Sequence, residues 1–303
     1  MKALHDCLFF LPLLTLKTGV YEFFAIDPLS IFLSNLIMDL ETATLFRITF
    51  SLGGLLIFLC LGFLLPYRKS QLLKNKSRLL TNISISFFNG AFLYFLLPFT
   101  LVGISFFAKE HQLGLFHYLS LPTFYQTIIE VILLDFIIYW QHRLTHTIPF
   151  LWLFHRVHHS DTEFDTTTAG RFHFIETLFS FFIKALFTIL FGFSALSLVL
   201  FEIILNFSSL FNHSNFSLPG PIERITRFFI VTPDMHRIHH STIVKETNSN
   251  YGFCITLWDK IFKSYLHEPK NNPKHMDIGL HYFRSPRHRN FFYLLKMPFL
   301  KKE

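Results

Sequence analysis

The chain alternates long apolar runs with short polar loops in which Lys and Arg collect. Residues 45–66 form the first run long enough to span a bilayer, which takes about 20 apolar residues. A loop with Arg68, Lys69, Lys74, Lys76 and Arg78, and no acid among them, follows. A second run covers residues 81–107, a short loop holds Lys109, Glu110 and His111, and a third run covers residues 124–139. Residues 174–211 are almost wholly apolar, room for two spans with Gly192 at the turn. At the N-terminus, residues 8–16 are too short to span and are broken by Pro12. They read as an interfacial or re-entrant helix rather than a signal peptide, since no small-residue cleavage site follows cleanly; residues 29–40 read as another.

This pattern predicts an all-α polytopic membrane bundle of about 4–5 transmembrane helices, with a cytoplasmic, histidine-rich helical cap. The expected divisions are an N-terminal segment 1–44, three spans in 45–141, a cap segment 142–173, a transmembrane hairpin 174–211, and a second cap segment with a basic tail 212–303. The basic loop at 68–78 is cytoplasmic by the positive-inside rule. The end of the third span then lies on the same face, and the hairpin returns the chain to it. From Asp259 onward, basic residues again outnumber acidic ones. The expected location is therefore the bacterial inner membrane, or the endoplasmic reticulum if the source is eukaryotic, with the histidines facing the cytoplasm.

Composition agrees. The 303 residues are 51% hydrophobic and 16% charged, against about 25% charged in soluble domains. A formal charge of +7 raises nucleic acid as a partner, but its confinement to loops beside apolar runs argues against one. Cys7, Cys60 and Cys254 share no ligand spacing and give no disulfide framework.

Histidine is the candidate chemistry. His142 and His146 are i and i+4; His155, His158 and His159 are i, i+3 and i+4; His236, His239 and His240 repeat that spacing. Each group gathers imidazoles on one helical face, and imidazole is a common ligand of iron, copper and zinc. With His173 and His213 there are ten candidate metal ligands, too many for one ion and suited to two with four or five each. The scarcity of interleaved carboxylates disfavours Mg²⁺ and Ca²⁺. Haem is disfavoured because the histidines cluster at span ends. Two irons beside the bilayer suggest O₂ activation against a C–H bond of a lipid chain.

Three polar positions within the spans stand out. Lys184 and Glu202 are equidistant from Phe193, so an antiparallel hairpin brings them to one depth, either to pair or to line a substrate path. Asp135 precedes His142 by two turns, either to orient a ligand histidine or to bond another helix. Glu130 reads as a packing or loop-side residue.

The three boxes resemble those of the fatty acid hydroxylase/sterol desaturase superfamily, bacterial-type branch. Similar flanking stretches are Leu134-Asp135, Tyr139-Trp140, Ser160-Asp161, Phe164-Asp165, Thr167-Thr168, Arg171-Phe172-His173, Asn212 to Asn215, Thr232-Pro233, Asn250-Tyr251-Gly252 and Trp258-Asp259. The resemblance implies a non-haem di-iron oxidoreductase with two iron ions, O₂ as co-substrate, and all three boxes with His173 and His213 as ligands. It places Asn215 beside Asp135 as a candidate supporting residue, with Arg171 and Glu176 tying cap to hairpin. Phe174 departs from the family, which commonly has Pro there. With no flavin, NAD or cysteine-cluster motif in the chain, electrons would come from an external cytochrome b5-like or ferredoxin partner. The competing reading is a zinc-dependent membrane hydrolase or a metal-binding transport protein using the same histidines. Ligands at span ends rather than mid-membrane weigh against transport.

Overall fold

The computed structural model describes residues 40–69 and 75–301. The N-terminal segments expected within residues 8–16 and 29–39 lie outside the described residues, as does Lys74. Among the described residues there is no β-sheet, only isolated antiparallel bridges joining Ile230 to Ile255 and Ser241 to Ile278. Five helical stretches are long and apolar enough to cross a membrane: Thr44–Leu64, Lys76–Tyr118, Thr123–Thr147, Phe174–Phe191 and Ala195–Asn212. At most a third of any such stretch is buried within the protein. Their Leu, Ile and Phe side chains therefore face outward, as in a lipid-facing bundle held by packing rather than by the hydrophobic effect.

The first helix, α1 (Leu40–Leu64), lies along the hairpin. The second expected span is two helices, α2 (Lys76–Leu96) and α3 (Leu101–Glu110), because Pro98 cannot donate to the ladder and Leu97 before it is extended. Thr100 restarts the chain as N-cap of α3, its hydroxyl accepting from the Gly103 N–H at 3.0 Å. A short 3₁₀ turn, Leu115–Tyr118, leads to α4 (Thr123–Thr147). This helix does not stop at residue 139: it runs on through His142 and His146, so the first histidine box rides on a membrane helix and the boundary expected at 141/142 falls mid-helix.

After Ile148 the chain turns into α5 (Pro149–His159), with Pro149 at the helix start where a missing N–H costs nothing. The hairpin is α6 (Phe174–Phe191) and α7 (Ala195–Asn212). Gly192 ends α6 in the left-handed region, φ +73°, where a β-carbon would approach the Leu113 carbonyl to 2.8 Å. Across the turn, Glu130 of α4 accepts from the Ser194 backbone and hydroxyl, at 3.0 and 2.6 Å, holding the hairpin tip. Lys184 reaches Glu202 at 3.5 Å, as the equidistance from Phe193 predicts, and Arg47 of α1 adds a second cation on the same carboxylate. The core between hairpin, α3 and α4 includes Ile104, Leu134, Ile138, Phe181, Leu198 and Phe201.

Beyond the hairpin come α8 (Gly220–Phe229), α9 (Pro233–His239), α10 (Val244–Thr247), α11 (Leu257–Ile261) and α12 (Phe291–Lys296). The C-terminal segment is not a free basic tail. Leu280, Phe283, Leu294 and Met297 pack with Ile85 of α2 and Val157 of α5. Arg156 donates to the carbonyls of Met297 and Leu300, the latter at 2.8 Å.

Candidate metal centre

Four helical elements aim histidines at one place where the bundle ends. Nine of the ten candidates sort into two sets: His142, His146, His155, His159 and His239; and His158, His213, His236 and His240. Within each set the ligand nitrogens lie within 4.8 Å of one another. Helical geometry makes the division. His142 and His146 share a face of α4, and His155 and His159 share a face of α5, so these two pairs meet. His158, one position from His159, points about 100° away into the second set. His239 and His240 split likewise at the end of α9. The sets therefore abut, with the rings of His159 and His240 4.5 Å apart.

The backbone sets the ring orientations. Nδ1 of His142 lies 2.7 Å from the Tyr251 carbonyl, that of His239 2.7 Å from the Ser249 carbonyl, and that of His213 2.7 Å from the Ser209 carbonyl. A carbonyl only accepts, so each Nδ1 carries the hydrogen and each Nε2 presents a lone pair inward. In the second set, Nε2 of His213 is 3.1–3.2 Å from the Nε2 atoms of His158, His236 and His240. In the first, Nε2 of His142, His155, His159 and His239 is buried with no hydrogen-bond partner. So many buried, unpartnered lone pairs are costly unless a cation takes them.

Burial, then crowding by neighbouring imidazoles, pushes His158, His159, His236 and His240 well below the ordinary histidine range. Burial brings His213 down to about 4 and His239 to about 3. All are neutral at pH 7, the form that binds metal. The donor set is all nitrogen, and among the described residues no carboxylate or thiolate joins either group. The sets fit two first-row transition ions with open positions, and do not fit Mg²⁺ or Ca²⁺.

His173, the tenth candidate, lies outside both sets. It is the N-cap of α6: its Nδ1 accepts from the Ile175 N–H at 3.3 Å, and its Nε2 donates to the Leu295 carbonyl at 3.2 Å. With the ring spent at both nitrogens, it caps and does not converge. Phe174 occupies the first helical position, where Pro is favoured but not required, and its ring packs on Phe92 at 4.8 Å.

Asp135 takes the second of its two expected roles, a bond to another helix, and Asn215 bonds backbone rather than a histidine. Asp135 accepts from the Trp258 indole at 2.9 Å and the Ile255 N–H at 3.3 Å, not from a histidine. Asn215 pairs with the backbone of Arg68, accepting at 3.1 Å and donating at 2.9 Å, which anchors the chain after α1. Glu176 is the acid that reaches the site: its carboxylate is 2.6 Å from Nδ1 of His155. The carbonyl under His142 is held by Asp259, which accepts from the Tyr251 and Gly252 N–H groups at 2.9 Å each. A β-carbon at Gly252 would meet that carboxylate at 2.9 Å, so a larger residue there would have to displace it.

Arg78 is the largest departure from the sequence reading. Counted above among cytoplasmic loop charges, it is buried, bidentate on Asp161 at 2.6 and 2.7 Å and on Asp165 at 2.5 Å. Asn82, one turn on, donates to Asp161 at 3.1 Å and accepts from Arg171 at 2.9 Å. Burial alone would raise the Asp161 carboxyl, but Arg78, with Arg171 behind it, holds it well below the usual carboxylate range. The network bolts α2 to the loop that follows His159. A stripe on α2, Arg78, Asn82 and Asn89 at helical spacing in an apolar segment, is the signal that marks it.

A family comparison agrees with this geometry. Residues 127–264, which hold all nine clustered histidines, match the fatty acid hydroxylase family. The match covers just under half of the chain, and the similarity to the fatty acid hydroxylase family rests on this segment.

Among relatives, the ornithine lipid hydroxylase OlsE of Rhizobium tropici is 31% identical over 182 residues, 60% of this chain and 52% of that protein. Alkylglycerol monooxygenase of Xenopus tropicalis is 32% identical over 139 residues, 44% of this chain and 29% of the relative. The Homo sapiens alkylglycerol monooxygenase is 28% identical over 151 residues, 47% and 30%. The chain thus spans about half of the first relative and less than a third of the other two. No solved structure matches.

Proposed function

We propose that this multi-pass membrane protein is an O₂-dependent, non-haem di-iron oxidoreductase that hydroxylates a C–H bond of a lipid. The observation that carries the proposal is the pair of abutting imidazole sets, five and four, all but half-buried His146 fully buried where the spans end. The five-histidine set would hold one iron and the four-histidine set the other. Iron held this way supplies O₂ activation: a lipid C–H, O₂, two electrons and two protons yield C–OH and water. Hydroxylation is favoured over desaturation because the relatives are named hydroxylase and monooxygenase. The electrons come from an external cytochrome b5-like or ferredoxin partner on the cytoplasmic face.

The chain's own contribution is positional. The carbonyls of Tyr251, Ser249 and Ser209 lock three imidazoles in the ligating tautomer. Glu176 makes His155 a stronger donor than its neighbours. Burial of both sets excludes bulk water, and the fatty acyl, sterol, sphingoid or ether-lipid chain arrives from the bilayer side. Hydrolysis is less well supported, because among the described residues the acid bonded to a histidine of the sets is Glu176, which sits on the Nδ1 side of His155, away from the converging lone pairs. The test is metal content and Mössbauer spectroscopy on ⁵⁷Fe-grown protein, followed by lipid analysis with O₂ and a reductant. Two redox-active irons per chain, lost in His159→Ala or His240→Ala, and an oxygenated lipid are expected. One metal, or zinc that iron cannot replace, overturns the proposal.

A further inference from the structure

Helix α8 is amphipathic in a way that the metal centre does not use. One face carries Glu223 and Arg227, paired at 2.9 Å, with Arg227 also on the His267 carbonyl at 3.0 Å. The other face carries Ile222, Ile225, Phe228 and Phe229. With Leu257 and Ile261 of α11 these make one apolar patch, each residue 47–67% exposed. The two helices are joined: the Thr256 N–H donates to the Phe229 carbonyl at 3.1 Å, and Lys260 donates to the Phe228 carbonyl at 2.9 Å.

The patch is continuous with a membrane span. Trp258 of α11 packs on Phe136 of α4 with centroids 5.0 Å apart, and Phe262 packs on Trp140 of α4 at 4.9 Å. Phe136 lies well inside α4, so α11 sits against the flank of the span rather than on top of it. Trp140 and Trp258 supply the amphipathic rings that favour the headgroup level. Basic side chains border the patch: Arg224 is exposed and Lys260 lies over the Phe228 ring at 4.0 Å. An exposed apolar helix face of this size, edged by cations and contiguous with a bilayer-facing helix, has the features of an interfacial helix.

We infer that α8 and α11 lie in the membrane interface, Ile222, Ile225, Phe228, Phe229, Leu257 and Ile261 entering the acyl boundary and Arg224 and Lys260 meeting lipid phosphates. The occupant is the bilayer itself, not a protein partner. The docking also bears on the histidines. Glu223 accepts from the Thr232 hydroxyl at 2.6 Å, and Thr232 is the N-cap of α9, which carries His236 and His239. The depth of α8 therefore sets the depth of α9. The inference requires membrane spans and stands whether or not the histidines hold iron.

The test is photocrosslinking of the full chain in phosphatidylcholine/phosphatidylglycerol nanodiscs. Phe228→p-benzoylphenylalanine changes little sterically at an exposed ring, and Glu268→p-benzoylphenylalanine, at an 82% exposed side chain, gives the aqueous comparison. After irradiation, the peptide containing position 228 is expected to carry lipid mass adducts at least tenfold more often than that containing 268. Equal lipid adducts at the two positions, or crosslinks from 228 to a second protein chain, overturn the inference. A monodisperse, membrane-inserted variant confirms that folding is intact. Should Phe228 prove intolerant, Ile225→p-benzoylphenylalanine reads the same face.

Discussion

Arg78→Met keeps the length of a buried side chain and deletes its charge. Asp161 would retain donors from Asn82 and Thr168, at 3.1 and 2.9 Å, but would lose the guanidinium that binds both of its oxygens. Removing one partner of a buried ion pair typically costs about 3–5 kcal/mol. At roughly 2–4 °C per kcal/mol, the detergent-solubilised protein should melt about 6–20 °C lower at pH 8. Because Asp161 follows His159 by two residues, metal bound per chain should fall as well. The wild-type carboxyl sits below its unfolded value, so its contribution is complete above pH ~3.9 and is lost only as pH falls through the lower folded value. In the variant only Arg171 is left to oppose burial, so the carboxyl rises and the unfolded chain ionises first. The deficit should then shrink between pH 8 and pH 5. Arg78→Met/Asp161→Asn, which removes the stranded carboxylate at position 161 but leaves Asp165 and Arg171 without these partners, should recover only part of the loss. Melting within about 2 °C of wild type at pH 8, or a deficit that grows on acidification, would refute the reasoning.

Two further predictions concern the histidines and the hairpin. Glu176→Gln should weaken metal retention about 10–100-fold on chelator titration, while His173→Ala should keep its metal and lose only a cap, about 0.5–2 kcal/mol by thermal unfolding. Within the hairpin, Lys184→Met should be mild because Arg47 still holds Glu202. The Arg47→Met/Lys184→Met pair should cost more than the two singles added, by at least about 2 kcal/mol, since it strands a carboxylate among apolar helices; a double-mutant cycle reads this directly.

Much of this fold was legible because the bilayer forces a simple code: the apolar runs and the turn at Gly192 could be placed from residue type alone. The three histidine boxes were legible for the same reason, since ligand spacing on a helix is local. What local spacing does not carry is the register between distant helices. It cannot say that His158 and His159 serve different sets, nor that His173 spends its ring on Leu295, far along the chain. Arg78 was misread because loop charge is counted without regard to burial. Asp135 accepts from the Trp258 indole, while the His142 N–H goes to the Tyr251 carbonyl, and neither partner can be read from spacing on α4. The union of the exposed face of α8 with α11 likewise depends on contacts across the cap, which local spacing does not carry.

The division of ligands between α5 and α9 also orders events during synthesis. Arg78, Asp161 and the first two boxes are made early, and Arg78 can clasp the loop after His159 before the hairpin exists. His236, His239 and His240 emerge only after α6 and α7, about ten seconds later at a synthesis rate of roughly 5–20 residues per second. For that interval the early imidazoles are anchored but incomplete, with neither set closed. A nascent chain stalled between residues 213 and 236 would be threaded through the bilayer yet unable to finish either histidine set. Insertion and maturation of the centre are thus separate steps, with α9 as the piece that ends the second.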